Sequence, residues 1–322
     1  MAEKTQKKRH SEISVKQLGI MRLSIIVTVY KAEQFIEQCV RSFYQQDIQT
    51  ADYEVIIVDN HSPDKSIDVV EALQKEFSNL KIVHLSENHY AGGGRNAGLK
   101  EAKGDYVLFV DADDYLYPNV LGGLLSEVFD NDLDFVHFDC DALVDDKIEV
   151  GTKTKTTGVM SGPDLMFGCG IPWQEHVVAW RKVFSRKFLE DIVFDDDDFA
   201  FRTYAEAKKA KHINCHAYVY RCNSNSASHI TVGYPKIKCY MIQSAQLLEL
   251  VKHYEKLEMN PNFVPAMEGL MRFNLSESLH HYSQMSGEEK KQTRRIIKDV
   301  FSSHIQLCKY VSKRKILKFI IK

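Results

Sequence analysis

From residue 22 the chain alternates between two apolar patterns. Short β-branched runs recur, LSIIVTVY, EVIIVDN, KIVHLS and YVLFVDADD, and the segments between them carry apolar residues three and four apart. Runs that are apolar at almost every position predict strands buried on both faces. Their alternation with helices predicts a mostly parallel sheet with helices on both faces. The first helix places Phe35, Ile36, Cys39, Val40 and Phe43 on one stripe, and the second places Ile67, Val70, Leu73 and Phe77 likewise. Ser62 and Pro63 predict the N-cap and first turn of that second helix. After residue 235 long helical patterns take over, through YMIQSAQLLELVKHYEKLE and FVPAMEGLMRFNLSESLHHY. The expected organisation is a disordered polar tail over 1–20, an α/β unit over 21–234 and a helical appendage over 235–322.

Composition narrows the function classes. The chain has 322 residues, 44% hydrophobic and 27% charged, enough to bury a sizeable core. A net charge of −2 gives no case for a nucleic-acid partner and favours small-molecule chemistry. Seven cysteines without a C-x-x-C pair fit neither a zinc site nor a disulfide framework, and a cytoplasmic location is expected. The opening MAEKTQKKRHSE lacks the apolar core of a signal peptide, and no apolar run approaches the length that spans a bilayer.

Candidate chemistry gathers where the strands end, because ligands of open α/β sheets bind outside the carboxyl ends of the strands. Three ends carry polar groups: Thr28 with Tyr30, Asp59 with Asn60, and Asp111 with Asp113 and Asp114. Three carboxylates at the end of a buried strand repel one another, and a hard divalent cation, Mn²⁺ or Mg²⁺, shared with phosphate oxygens would offset that charge. Between the third and fourth strands, HYAGGGRNAGLKEAKG combines Gly92, Gly93 and Gly94, which permit close backbone approach to a ligand, with the donor fork of Arg95. Gly92, Gly94 and Ala97 also spell G-x-G-x-x-A about twenty residues before Asp111, so an NAD-dependent oxidoreductase is one alternative. Against it, the glycines follow the third strand, and a ribose hydroxyl needs one carboxylate rather than a cluster.

In order and spacing, SIIVTVY, VDNHSPD, GGGRNAG and GDYVLFVDADD resemble the glycosyltransferases of family 2, over roughly residues 22 to 230. That resemblance implies the GT-A fold and a nucleotide-diphosphate sugar donor, a UDP-sugar first among them. It places Thr28 and Tyr30 beside the nucleotide, Asp59 on the base and Arg95 near base or phosphate. Asp111 would approach the ribose and the metal, and Asp113 would ligate the metal; Asp114 would be a supporting or helix-start residue whose loss matters least. A catalytic base is implied some eighty residues on. Asp196 is the best positional match within DDDDF, with Asp195 and Asp197 as register alternatives; Trp180 and Lys182 stand upstream as in similar proteins. Glu190-Asp191 is a literal Glu-Asp but precedes an apolar triplet. Lys31 and the Gly93-Gly94 pair depart from the family pattern near the nucleotide. His229, in a polar loop, could reach the diphosphate.

The implied reaction is a single in-line displacement. Asp196 would take the proton of an acceptor hydroxyl as it attacks the anomeric carbon, while the metal at Asp113 would offset charge on the departing diphosphate, inverting the anomeric centre. The acceptor class expected is a glycan or lipid-linked glycan of a surface polysaccharide. The terminal HIQLCKYVSKRKILKFIIK sets Ile305, Cys308, Val311, Ile316, Phe319 and Ile320 beside Lys309, Lys313, Arg314, Lys318 and Lys322. A helix of this kind over 305–322 could lie peripherally on an anionic inner leaflet or pack on the catalytic unit. Three further classes stay open: a nucleotidyltransferase, although VTVYKAEQF lacks the glycine-rich loop it would need; a glycoside hydrolase with paired carboxylates; and a non-catalytic nucleotide-sugar-binding protein.

Overall fold

The structure is a computed structural model that describes residues 22–152, 154–172, 178–192, 198–222 and 233–312. The strand–helix alternation expected from the sequence is present: β1 (Leu23–Val29), α1 (Ile36–Phe43), β2 (Tyr53–Asp59), α2 (Ser66–Glu76), β3 (Leu80–His84), α3 (Tyr90–Glu101) and β4 (Tyr106–Asp111). The second half adds β5 (Tyr115–Leu116), α4 (Leu121–Asp130), β6 (Phe135–Val144), β7 (Lys147–Glu149), α5 (Gly162–Gly168), β8 (Lys182–Ser185), α6 (Asp198–Glu206) and β9 (Ala210–Arg221). Among the described residues these strands form one sheet in the order β3-β2-β1-β4-β8-β6-β9-β5, with β7 paired to β6. The pairs β3–β2, β2–β1 and β1–β4 are parallel. Strand β8 runs antiparallel to both β4 and β6.

The fully apolar strands divide their side chains between two cores, as a period of two requires. Leu23, Ile25, Val27 and Val29 of β1 join Ile36, Cys39 and Val40 of α1 and Val70 and Leu73 of α2. The alternate residues Ile26, Ile56, Val58, Val107 and Phe109 belong to a second cluster, continuous through α5 and α6 into the C-terminal helices. Those helices are α7 (Tyr234–Tyr254), α8 (Phe263–Gln284) and α9 (Gly287–Ser303). Tyr254 of α7 donates to Glu206 of α6 at 2.7 Å, so the helical region is tied to the α/β unit by a polar contact as well as apolar ones, and within that region Asn274 of α8 donates to Gln243 of α7 at 2.7 Å.

Three local expectations are corrected. Helix α2 starts at Ser66, not after Ser62. The Ser62 hydroxyl instead accepts the Lys31 amide (2.8 Å) and donates to Asp64 (2.6 Å), so it joins the loops after β1 and β2 rather than capping a helix. Gly92, Gly93 and Gly94 lie inside α3 rather than in a loop before it, and Gly94, with Gly98 one turn on, packs against β1. A Cβ at Gly94 would collide with Thr28 Cγ2 and one at Gly98 with Ile26 Cγ2, so small residues let the helix rest directly on β1. Finally, Ile305–Tyr310 is a 3₁₀ turn that buries Leu307 and Tyr310 and exposes Ile305, so the expected apolar stripe is not followed there. The tail 1–20 and the basic stretch from residue 313 lie outside the described residues. No helix among the described residues is long and apolar enough to cross a membrane.

Candidate active site

Parallel pairing brings three strand ends to one level. Thr28 of β1 stands opposite Asp111 of β4 and opposite Val58 of β2, and Val29 stands opposite Asp59. The crevice beyond them is bordered by α3, which Gly94 seats on Thr28. One residue further along α3, Arg95 reaches Asp111, with Nη2 to Oδ1 at 2.7 Å. Thr28, Arg95 and Asp111, far apart in sequence, are thus assembled by one helix–strand contact. The Thr28 hydroxyl is buried without a hydrogen-bond partner among the described residues. Tyr30 is exposed at the mouth, with the Lys31 ammonium 5.3 Å from its ring centroid.

Asp59 is held from two sides. Its Oδ1 accepts the Ser62 amide at 2.9 Å and its Oδ2 lies 3.1 Å from His84 Nδ1 at the end of β3. The next residue, Asn60, is buried and ties down the start of α3, accepting the His89 amide at 2.8 Å and donating to the Tyr90 carbonyl at 2.8 Å.

The acidic turn after β4 divides its labour unexpectedly. Asp114, expected to matter least, is the most enclosed of the three, 1% exposed. Its Oδ2 accepts the Tyr218 hydroxyl at 2.6 Å and its Oδ1 the Arg221 amide at 2.7 Å, so it welds the turn to β9. Burial, with Asp111 and Asp113 nearby, pushes its carboxyl well above the usual range. Tyr218 also bonds the Asp111 amide (3.1 Å), and Arg221 Nε donates to the Asp113 carbonyl (2.9 Å). Trp180 stacks on Tyr218 with centroids 4.4 Å apart and on Tyr220 at 5.7 Å, forming an aromatic backing behind the turn.

Burial and then the neighbouring Asp111 push the Asp113 carboxyl above the ordinary range, while Arg221 opposes them only weakly. Asp111 already faces Arg95, and the carboxylate oxygens of Asp111 and Asp113 are hard donors of the kind that suit Mg²⁺ or Mn²⁺. Among the described residues no group of three or more His, Cys, Asp or Glu side chains is arranged to hold a metal. An ion here would complete its shell with phosphate oxygens and water.

A second polar region lies within the sheet's other half. His137 and His212, on β6 and β9, approach at 2.9 Å between Nδ1 atoms, His212 Nε2 meets the Thr154 hydroxyl at 2.7 Å, and that hydroxyl donates to Asp139 at 2.5 Å. Arg181 lies 3.6 Å from Asp139, and all these side chains are buried. Lys182 is fully buried and donates to the Val178 carbonyl at 2.6 Å, with its ammonium disfavoured first by burial and then by Arg181.

Five expected site residues, Thr28, Asp59, Arg95, Asp111 and Asp113, therefore converge, Tyr30 stands at the mouth and Trp180 supports from behind. Asp195, Asp196, Asp197 and His229 lie outside the described residues. Glu190 and Asp191 are exposed just after β8. Sequence reasoning missed His84, Tyr218 and Arg221; only Tyr218 and Arg221 carried a signal, as polar members of an otherwise strand-like YVYRC.

The sequence profile of glycosyl transferase family 2 matches residues 24–193. The uncharacterized glycosyltransferase EpsJ of Bacillus subtilis is 29% identical over 220 residues, 65% of this chain and 63% of EpsJ. The poly(ribitol-phosphate) β-N-acetylglucosaminyltransferase TarS of Staphylococcus aureus is 38% identical over 103 residues, 32% of this chain and 18% of TarS. The chain thus spans less than two thirds of the length of either protein. Crystal structures of S. aureus TarS residues 1–349 superpose with a TM-score of 0.65 in the complex with UDP-GlcNAc and 0.60 in the complex with UDP. They share 20% and 19% identity, each covering 92% of this chain and respectively 83% and 82% of theirs. The shared fold is the GT-A arrangement, a mixed sheet flanked by helices with a helical C-terminal region. With the profile spanning more than half of the sequence and the acidic turn, α3 and the β2 end in their expected places, this chain belongs to glycosyl transferase family 2.

Proposed function

We propose that this protein transfers a sugar from a nucleoside diphosphate donor to a hydroxyl of a glycan or lipid-linked glycan, in the synthesis of a cell-surface polysaccharide. The observation that carries this reading is the convergence of Asp59, Arg95, Asp111 and Asp113 at adjacent ends of parallel strands in a chain of this family. UDP is the favoured nucleotide, because TarS, which shares the fold, has been crystallised with UDP and UDP-GlcNAc. In that site Asp59 would accept a ring N–H of the base, Arg95 holds Asp111 toward the ribose, and Asp113 would hold a divalent cation, whose chemistry, when bound, would be charge stabilisation of the departing diphosphate. Tyr218 and Arg221 fix the turn that aims Asp113, so the carboxylate needs little reorganisation as charge develops.

The acceptor hydroxyl needs a base, and Asp196 is assigned that part, with Asp195 and Asp197 adjacent and His229 as a candidate diphosphate contact. Base and leaving group on opposite faces of the sugar give inversion. The basic stretch from residue 313 would supply any contact with an anionic membrane surface, which suits a lipid-borne acceptor. The deciding experiment incubates the full chain with UDP-, GDP- and dTDP-sugars, with Mn²⁺ or with EDTA, and measures release of the nucleoside diphosphate with and without lipid-linked acceptors. UDP release that requires Mn²⁺ and falls on the order of a hundredfold or more in Asp196→Asn is expected. Undiminished turnover in EDTA would remove the metal from the scheme, and full activity of Asp196→Asn would remove the base.

A further inference from the structure

We propose that His84 is a positioning residue for nucleobase recognition: it fixes the carboxylate of Asp59 so that the site selects a base presenting a ring N–H. The inference rests on the donor reading above, in which Asp59 meets the base. Residue 84 has no place in that reading, and the register of the sheet supplies it. Strand β3 pairs with β2 in parallel, placing His84 directly opposite Asp59, and the Leu85 amide donates to the Asp59 carbonyl at 3.0 Å, which locks the two strand ends together.

Asp59 follows four fully buried strand residues and has only 14% of its side chain exposed, whereas His84 is 58% exposed in its side chain. With the Ser62 amide on Oδ1 and His84 Nδ1 on Oδ2, both carboxylate oxygens are tethered, one from each flank. An ionised carboxylate accepts only, and each oxygen keeps a further lone pair for a ligand. Against such a group a uracil or guanine ring N–H is matched. A cytosine or adenine ring nitrogen, itself an acceptor, is opposed, and a buried acceptor–acceptor mismatch is heavily penalised. Without His84 one tether is lost and Asp59 can rotate, so discrimination should weaken while the diphosphate end of the site, at Asp111 and Asp113, is unaffected. The exposure of His84 means that its removal does not open the core.

The test measures UDP and pyrophosphate affinity by calorimetry with Mn²⁺ on the full chain, together with donor KM and kcat, for the wild type, His84→Ala and His84→Gln. His84→Ala should weaken UDP binding and raise donor KM roughly tenfold, the scale of one hydrogen bond to a charged group. Its kcat and pyrophosphate affinity should stay within about twofold, and its melting temperature should match the wild type. His84→Gln, which keeps a donor, should recover most of the UDP affinity. Wild-type UDP affinity retained in His84→Ala overturns the assignment, as does an equal loss for pyrophosphate or a failure of His84→Gln to recover. If the wild type itself binds no nucleoside diphosphate, the donor reading falls instead, and the two failures are told apart in the first titration.

Discussion

The two halves of the sheet both place charge among apolar strands, but they do opposite things with it. In the β1–β4 half Asp59, Asp111 and Asp113 stand at or just beyond the carboxyl ends of strands beside a crevice, and burial and Asp111 push the Asp113 carboxyl above its ordinary range. In the β6–β9 half, His137, Asp139, Arg181, Lys182 and His212 are buried: the two histidines, Thr154 and Asp139 form a chain of contacts, while Arg181 and Lys182 donate to the Phe138 and Val178 carbonyls. The difference is one of access: the first set borders a crevice, and the second is enclosed among strands. Carboxylates at strand ends beside a crevice are open to a ligand, whereas a buried polar network acts on packing.

The sharpest way to break this contrast lies within three residues. Asp113→Asn should lower transfer on the order of 10² to 10³ while leaving the fold as stable as before or more so. The sign follows from linkage: a carboxyl whose folded pKa is raised binds protons more readily when folded, so its ionised form costs stability at neutral pH, and neutralising it removes that cost. Asp114→Ala should do the reverse in kind, destabilising the protein by about 3 kcal/mol in chemical denaturation because the Tyr218 hydroxyl and the Arg221 amide lose their acceptor. If Asp113→Asn unfolds the chain and Asp114→Ala does not, the division drawn here is inverted.

A smaller effect tests how the first half is assembled. Gly94→Ala drives a methyl into Thr28, and separating α3 from β1 should cost about 1–3 kcal/mol in thermal or denaturant unfolding and displace Arg95 from Asp111, weakening UDP binding as well. The smallest concerns the second half and appears only in acid. Burial first, then Arg181, lower His212 to about 4. A histidine neutral in the fold but protonated when unfolded below about pH 6.5 contributes stability that is complete above that pH and is lost as the pH falls toward 4. His212→Gln should flatten the melting-temperature profile over that window; an unchanged slope would show that the network titrates elsewhere.

How much of this could be read beforehand depended on sequence distance. Asp59, Asp111 and Asp113 were legible because a strand that ends in a carboxylate is unusual on its own terms, and Arg95 because a donor fork followed a glycine run. The meaning of those glycines was not legible: flexibility toward a ligand and close packing on a strand look identical until Thr28 and Ile26 are seen beneath them. The weight carried by Asp114 was hidden for a different reason, since its partners arrive 104 and 107 residues later on a strand whose pairing the local pattern does not encode. In the sequence pattern His84 is only the tail of a strand, and the parallel register sets it against Asp59.

The bond between Asp114 and β9 also has a consequence in time. Loop closure over so long a separation is slow, and long-range strand pairing comes late in folding. On the ribosome the first four strands can pair and bury the face covered by α1 and α2 while the acidic turn still lacks Tyr218 and Arg221, because those residues have not been synthesised. A nascent chain stopped before residue 218 would carry a nearly complete half-sheet and an unlatched acidic turn. The ordered geometry of the acidic turn is therefore acquired only once β9 has been made and paired.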